Sequence, residues 1–201
     1  KVILFGFIFT FFSSFGQSFF LGLFNTSLRE TLSISHGQFG SIYASATLLS
    51  SLVLVWIGKK IDDLNILRFA SYVVVLFAIS CFLFSKISSI IFLFFSIFLM
   101  RLSGQGLMSH TATTTVSRFF ERSRGRALST AWLGLSSAEF ILPLLIVFLL
   151  TIIEWRSIWL LISIIIILVL PLISYFLVKD VNLDSREKSN DEEKKIKKIK
   201  Q

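Results

Sequence analysis

The chain has 201 residues, of which 54% are hydrophobic and 15% aromatic, and its mean hydropathy is +0.80. A water-soluble domain of this length cannot bury so much apolar surface, so the composition excludes an ordinary soluble fold. The formal net charge is +8, but the basic residues lie between apolar stretches or near the carboxyl terminus. That distribution indicates membrane topology and no nucleic-acid partner.

Six apolar stretches within residues 1–178 are each long enough to cross a bilayer. The first follows a single lysine, lacks a signal-peptide cleavage pattern and has several successors, so we interpret it as a membrane span. Because the chain begins with Lys1 and not with methionine, we expect a piece of a longer protein. The predicted spans are Val2 to Phe24, Phe39 to Ile57, Phe69 to Ser85, Ser88 to Ala112, Ala127 to Ile153 and Ile158 to Val178.

Basic residues are distributed unequally between the connecting loops. Seven lie after the second and fourth spans, and three lie after the first, third and fifth. Cytoplasmic loops carry the excess of lysine and arginine, so both termini are predicted to be cytoplasmic. Residues 179–201 have few apolar residues and mixed charge, and we expect them to form a disordered cytoplasmic segment.

Polar residues indicate which spans line a cavity. The first span places Thr10, Ser13, Ser14 and Gln17 on one side, whereas the third and sixth spans are apolar nearly all round. We therefore expect the first, second, fourth and fifth spans to form the interior, and the third and sixth to face lipid. Small residues four positions apart in the second span, a pattern that allows close helix approach, are Gly37, Gly40, Ser41, Ala44 and Ser45.

Two charged residues lie deep within the predicted spans. Arg101 lies ~20 Å into the fourth span and Glu139 ~18 Å into the fifth, near the middle of a core about 30 Å thick. Charges at that depth are costly and usually mark the path of an ion or substrate. A guanidinium suits a carboxylate or other anion, and a carboxyl group in a dry site can gain and lose a proton. A structural salt bridge between the two spans is the alternative interpretation.

Further residues complete the predicted substrate site. Gln105 shares a helical face with Arg101, and Gln17 and Ser14 come from the polar side of the first span. His110 is rotated by about 180° from Arg101, so we expect a structural histidine packed against a neighbouring helix, with a proton carrier as the alternative. Glu139 is the candidate residue for proton coupling.

Four short motifs resemble those of the major facilitator superfamily. They are the loop GKKID of residues 58–62 followed by Arg68, the fourth-helix motif RLSGQG of residues 101–106, the helix-five entry RGRA of residues 124–127, and the pair WR of residues 155–156. Asp63, Asn65 and Glu154 depart from the usual residues at their positions. The antiporter motif of this superfamily contains a glycine–proline pair in helix five. Here Gly134 and Pro143 lie nine residues apart, so the motif is missing and drug–proton antiport is disfavoured.

The resemblance implies an all-α membrane protein whose six-helix bundle is the amino-terminal half of a twelve-helix fold. Residues 179–201 would begin the central loop, and a missing carboxy-terminal half or a second copy would cover the cavity. It further implies a cytoplasmic gate, with ordinary solvated loop charges as the alternative interpretation. The gate residues would be Gly58, Asp62, Arg68, Arg118 and Arg122, with Glu121 beside them.

We therefore predict a secondary active transporter of a bacterial inner (plasma) membrane that moves a small organic anion with protons by alternating access. An exporter or uniporter of a neutral solute, or a six-span subunit that transports nothing, are the alternatives. The sequence contains neither H-E-x-x-H nor G-x-S-x-G, and both histidines are isolated, so we expect no enzyme, no cofactor and no metal site. The expected partners are the solute, protons and membrane lipids.

Overall fold

The structure is a computed structural model that describes residues 1–179, and every regular element in this range is helical. The residues 180–201 of the predicted disordered segment lie outside the described part. The elements are α1 (Val2–Ser13), a 3₁₀ turn (Ser14–Gly16), α2 (Ser18–Gly22), α3 (Asn25–Leu32), α4 (His36–Gly58), α5 (Lys60–Asp63), α6 (Ile66–Ser85), α7 (Ile90–Met100), a π-helical segment (Arg101–Met108), α8 (Ser109–Phe119), α9 (Arg124–Leu150) and α10 (Trp155–Val178).

Within residues 1–179, six helical stretches are long and apolar enough to cross a membrane, which confirms the predicted all-α fold with six spans. The first comprises α1, the 3₁₀ turn and α2, the second comprises α4 and α5, and the fourth comprises α7, the π-helical segment and α8. The spans are Val2–Gly22, His36–Asp63, Ile66–Ser85, Ile90–Phe119, Arg124–Leu150 and Trp155–Val178.

Side-chain hydrogen bonds account for several span ends that differ from the prediction. The second span begins at His36, because Ser35 and Gln38 form a reciprocal capping box before it. The fourth span continues beyond Ala112 through a polar sequence. Thr111 and Thr115 each donate a hydrogen bond to the carbonyl oxygen one turn back, at 2.7 Å, so these two buried hydroxyls are satisfied within the helix.

The first span packs against the fourth and fifth spans at positions where side chains are small. Thr10 Oγ1 donates a hydrogen bond to the carbonyl oxygen of Ala131 at 2.7 Å. Gly134 faces the same turn of the first span, and a Cβ atom there would overlap the carbonyl oxygen of Phe7. This contact fixes the first and fifth spans side by side along their first halves.

The third span, which the sequence predicts to face lipid, is buried on one side and exposed on the other. In the most apolar 18-residue stretch of the third span, 50% is buried, whereas the corresponding share is 11% in the second span and 22% in the fifth. The third span packs along the sixth and fourth spans through a stripe of residues three or four apart. Composition does not reveal such a stripe, because residues that face lipid and residues that face another helix are equally apolar. The stripe comprises Ala70, Val73, Val74, Phe77, Cys81 and Phe84.

The small residues of the second span do not mediate close packing within this bundle. Gly37, Gly40 and Ala44 are exposed, and a Cβ atom on Gly40 would meet nothing within 4 Å. The face that they form is therefore open in the described part of the chain.

Trp155 and Arg156 connect the start of the sixth span to the loop between the third and fourth. Arg156 Nη2 donates a hydrogen bond to the carbonyl oxygen of Ile87 at 2.7 Å. The guanidinium carbon lies 4.3 Å from the centre of the Trp155 ring, so the indole holds it in place. This pair therefore has a structural role at the end of the bundle opposite the loop of residues 58–62.

Candidate functional site

The first span contains a break in its helical geometry. The 3₁₀ turn ends at Gly16, Gln17 is extended with φ −80° and ψ 157°, and α2 begins at Ser18. A Cβ atom on Gly16 would lie 2.6 Å from the backbone nitrogen of Gln105 and 2.7 Å from the carbonyl oxygen of Met100. Only glycine therefore lets the fourth span approach the break so closely.

The fourth span changes its winding at the same level. Residues Arg101–Met108 form a π-helical segment. This geometry is rare in proteins as a whole, but where it occurs it is frequently at a functional site. Gly104 lies within the segment, and a Cβ atom there would lie 2.9 Å from Gly16 Cα and 2.6 Å from Phe77 Cε2. The contact places the first residue of the segment, Arg101, beside the break.

Arg101 is bound to the break through one of its nitrogens. Its Nη1 donates to the carbonyl oxygen of Gly16 at 3.1 Å and to Ser18 Oγ at 3.2 Å. The Tyr43 ring of the second span lies 5.4 Å from the guanidinium carbon, at a cation–π distance. The residue is only 7% exposed. Three spans thus meet at this guanidinium.

The charge of Arg101 is not compensated by the residues that the structure describes. No carboxylate within residues 1–179 lies at ion-pair distance from it. Its Nε is buried without a hydrogen-bond partner, and Nη2 makes no hydrogen bond within the same range. A permanent charge with two unused donor groups has the chemistry to bind an anion.

Glu139 lies on the exposed side of the fifth span and does not bond to Arg101. The structural salt bridge between the two residues is therefore not formed in the described structure. The fifth span meets the first at Gly134 and also contacts the Ser14–Gly16 turn, so Glu139 lies near the level of the break. The described structure therefore does not pair the two residues.

The other predicted substrate residues lie around the break as well. Ser14 is buried and its hydroxyl has no hydrogen-bond partner among residues 1–179. Gln17 is the extended, partly exposed residue of the break, and Gln105 is a partly exposed residue one turn after Arg101. Together with Arg101, these residues lie at the break and the π-helical segment, and the backbone nitrogen of Gln17 donates a hydrogen bond to the carbonyl oxygen of Ser14 at 3.0 Å.

Sequence reasoning missed Ser18 and Tyr43. The Tyr43 hydroxyl donates to Ser18 Oγ at 2.9 Å, and the same oxygen accepts from Arg101. A signal for Tyr43 was present, because the chain has 3 tyrosines against 23 phenylalanines and a phenol inside a membrane span needs a polar partner. Ser18 gave no signal, since its role depends on contacts with residues far away in the sequence.

The predicted gate residues are only partly brought together. Arg118 at the end of the fourth span forms an ion pair with Asp62 in α5. Arg68 and Arg122 are exposed, and neither reaches Asp62 in the described structure. Asp62 is 64% exposed, so this ion pair is accessible to solvent or headgroups.

Gly58 and His110 provide a second contact between the same two spans. His110 Nε2 lies 3.1 Å from the carbonyl oxygen of Gly58, the last residue of α4. This confirms the prediction that His110 packs against a neighbouring helix. Both residues line a cavity of about 260 Å³ together with Asp62 and Lys59, so the carboxylate of the ion pair and the histidine share one space.

The family of the chain follows from a comparison with known proteins. Residues 6–201 match the family model described as Major Facilitator Superfamily. Neither a curated protein nor a solved structure matches the chain. The family model covers nearly the whole sequence, and its members cross membranes through helices such as the six seen here. The chain belongs to the major facilitator superfamily of membrane transporters.

Proposed function

We propose that the protein is a secondary active transporter that carries a small organic anion together with protons by alternating access. The observation that carries the proposal is the buried guanidinium of Arg101, which has no carboxylate partner in the described residues. An unpaired charge within a membrane protein is costly, so a ligand that neutralises it gains a large share of its binding energy there.

The geometry of Arg101 favours a carboxylate or a similar oxyanion. Nη1 is engaged by Gly16 and Ser18, which holds the side chain in one orientation. Nη2 makes no hydrogen bond to a described residue and can donate to an anion. A fixed, forked donor binds planar anions with defined geometry, whereas a neutral solute would leave the charge uncompensated.

We further propose that Glu139 takes up the coupled proton. A carboxylate on the exposed face of a membrane-spanning helix needs a partner, a water-filled cavity or a proton. Its position near the level of the break lets its charge respond to an anion at Arg101. Neutralisation of the site by the substrate and by the proton would then be linked.

Alternating access requires a second bundle. The second and fifth spans are mostly exposed, and Glu139 is among the exposed residues. We propose that a further six-helix half or a second copy covers this face and that the cavity opens by rocking between the two. The end that carries Asp62 and Arg118 would be cytoplasmic, in a bacterial inner membrane, and their ion pair would belong to the gate.

Counterflow into liposomes tests this function. The purified protein would be reconstituted and offered small radiolabelled carboxylates, each with its unlabelled amide as a competitor. We expect at least one carboxylate to be exchanged, with no competition from its amide. Arg101→Ala should abolish exchange, and Lys86→Ala, which removes an exposed loop charge, should retain it.

Two results would contradict the proposal. Exchange of a neutral solute that persists in Arg101→Ala would favour the neutral-solute transporter. Failure to exchange any tested carboxylate, with protein that is folded and correctly inserted, would favour a subunit that transports nothing.

A further inference from the structure

We propose that Ser18 is a second residue that binds the anion directly, and that Tyr43 positions its hydroxyl proton for this purpose. The inference rests on the proposed anion site at Arg101 and extends it to the selectivity of the site. It would make the site specific for a group that only accepts hydrogen bonds, such as a carboxylate.

The Ser18 hydroxyl accepts two hydrogen bonds from neighbouring side chains. A serine hydroxyl has one proton to donate and two lone pairs that accept. Ser18 Oγ accepts from Tyr43 Oη at 2.9 Å and from Arg101 Nη1 at 3.2 Å, so both lone pairs are occupied. Its proton must therefore point away from both donors. No acceptor within residues 1–179 receives it, and the side chain is exposed.

The unused proton lies next to the unused donors of Arg101. Ser18 Oγ is bonded to Nη1, so its hydroxyl and the neighbouring Nη2 belong to one small patch. Nη2 also makes no hydrogen bond to a described residue. A carboxylate has two oxygens that accept only, and it can receive one bond from the guanidinium and one from the hydroxyl.

The same arrangement excludes ligands that present a donor. An amide that binds in the same way, or an ammonium group, would direct an N–H toward the Ser18 proton or the guanidinium, and two donors would then face each other with no acceptor between them. A site built from fixed hydrogen-bond partners rejects such analogues more strongly than a site that selects by size. Ser18 is thus a specificity-determining residue as well as a binding residue.

Tyr43 acts through Ser18 and Arg101. Its hydroxyl occupies one lone pair of Ser18, and its ring lies 5.4 Å from the guanidinium carbon. Without the Tyr43 hydroxyl, Ser18 could rotate and offer a lone pair to a ligand. Loss of that hydroxyl should therefore reduce discrimination between a carboxylate and its amide, while the ring still covers Arg101.

Equilibrium binding of radiolabelled benzoate to the purified protein in nanodiscs tests the inference, with benzamide as the competitor of the same shape. Ser18→Ala should raise the Kd for benzoate about tenfold or more, because a hydrogen bond to a charged group is lost. Ser18→Thr keeps a hydroxyl and should restore binding. Tyr43→Phe should let benzamide compete better relative to benzoate, a change that a purely structural role would not produce.

The outcomes separate the inference from the proposed function. A Kd for benzoate that is unchanged in Ser18→Ala, but lost in Arg101→Ala, would overturn the role of Ser18 and leave the anion site intact. Benzoate binding that is absent from the unaltered protein, or equal in the unaltered protein and Arg101→Ala, would overturn both. Thermal unfolding of each variant identifies changes that come from misfolding.

Discussion

Gly16 and Gly104 lie in direct backbone contact, which joins the break of the first span to the π-helical segment of the fourth. A Cβ atom on Gly16 would lie 2.8 Å from Gly104 Cα, and one on Gly104 would lie 2.9 Å from Gly16 Cα. Both values are shorter than side-chain carbons tolerate against a backbone that cannot move. The contact holds Arg101 at the break, so the proposed anion site depends on two residues that carry no chemistry of their own.

Alanine at either glycine should therefore destabilise the protein. We expect Gly16→Ala and Gly104→Ala each to cost about 1–3 kcal/mol through overpacking and to weaken anion binding by displacing Arg101. Gly22→Ala is the matched control, because Gly22 is the last residue of the first span, its Cβ atom would meet nothing within 4 Å, and alanine is the better helix former. Thermal unfolding in detergent measures the effect. Equal stability of all three variants would show that the two backbones can separate.

The ion pair between Arg118 and Asp62 should affect conformation more than stability. Exposed pairs of this kind contribute roughly 0.2–1 kcal/mol, so Asp62→Asn should hardly change thermal unfolding. The same free energy can shift an equilibrium between two conformations of the transporter, with the ion pair formed in one and broken in the other, by up to about fivefold. We expect a cysteine placed at the gate end of the cavity to react faster with a soluble maleimide in Asp62→Asn. Exchange of both charges should restore the slow rate, and an unchanged rate would argue for ordinary loop charges.

His110 offers a test that distinguishes a hydrogen bond from packing. Its Nε2 contacts the carbonyl oxygen of Gly58 at 3.1 Å, and a carbonyl only accepts, so this nitrogen carries a proton. His110→Gln can keep a donor at the site, whereas His110→Phe keeps only the ring volume. We expect the phenylalanine variant to lose about 1 kcal/mol of stability and the glutamine variant to lose less. The opposite order would show that ring packing dominates the contact.

The number of spans was predictable because each depends on a local property. A continuous apolar run reveals a membrane helix without knowledge of its neighbours, and polar caps such as Ser35 adjust only its ends. The cost of charge in hydrocarbon likewise identified Arg101 as a candidate site residue. The burial of the third span was not predictable, because lipid and neighbouring helices select the same apolar side chains.

The geometry around Arg101 depends on distant parts of the chain. Its partner Gly16 is 85 residues away, and the local sequence gives no sign that the first span breaks there. The π-helical segment is likewise set by close packing around Gly104, which no periodicity in the sequence predicts. The sequence therefore offered Arg101, Gln17, Ser14 and Gln105 as candidate site residues, but it revealed neither their arrangement nor the contacts of Ser18 and Tyr43.

The separation of Glu139 from Arg101 leads to the last prediction. Because no ion pair joins them in the described structure, each single variant should fold and should show a defect of its own. Glu139→Gln keeps the shape of the side chain and removes its titration. We expect it to preserve carboxylate exchange in liposomes and to abolish the acceleration that an inward proton gradient gives.

The control for that variant is Glu154→Gln, which removes an exposed carboxylate at the start of the sixth span and should leave the acceleration unchanged. Exchange of the two charges between Arg101 and Glu139 should not restore transport, since the reversed pair would place a carboxylate at the anion site and repel the substrate. A charge-reversed protein that transports would instead indicate that a salt bridge forms between the two spans in another conformation. A Glu139→Gln protein whose uptake still responds fully to the proton gradient would exclude Glu139 as the coupling residue, because the driving force would then enter through another titratable group.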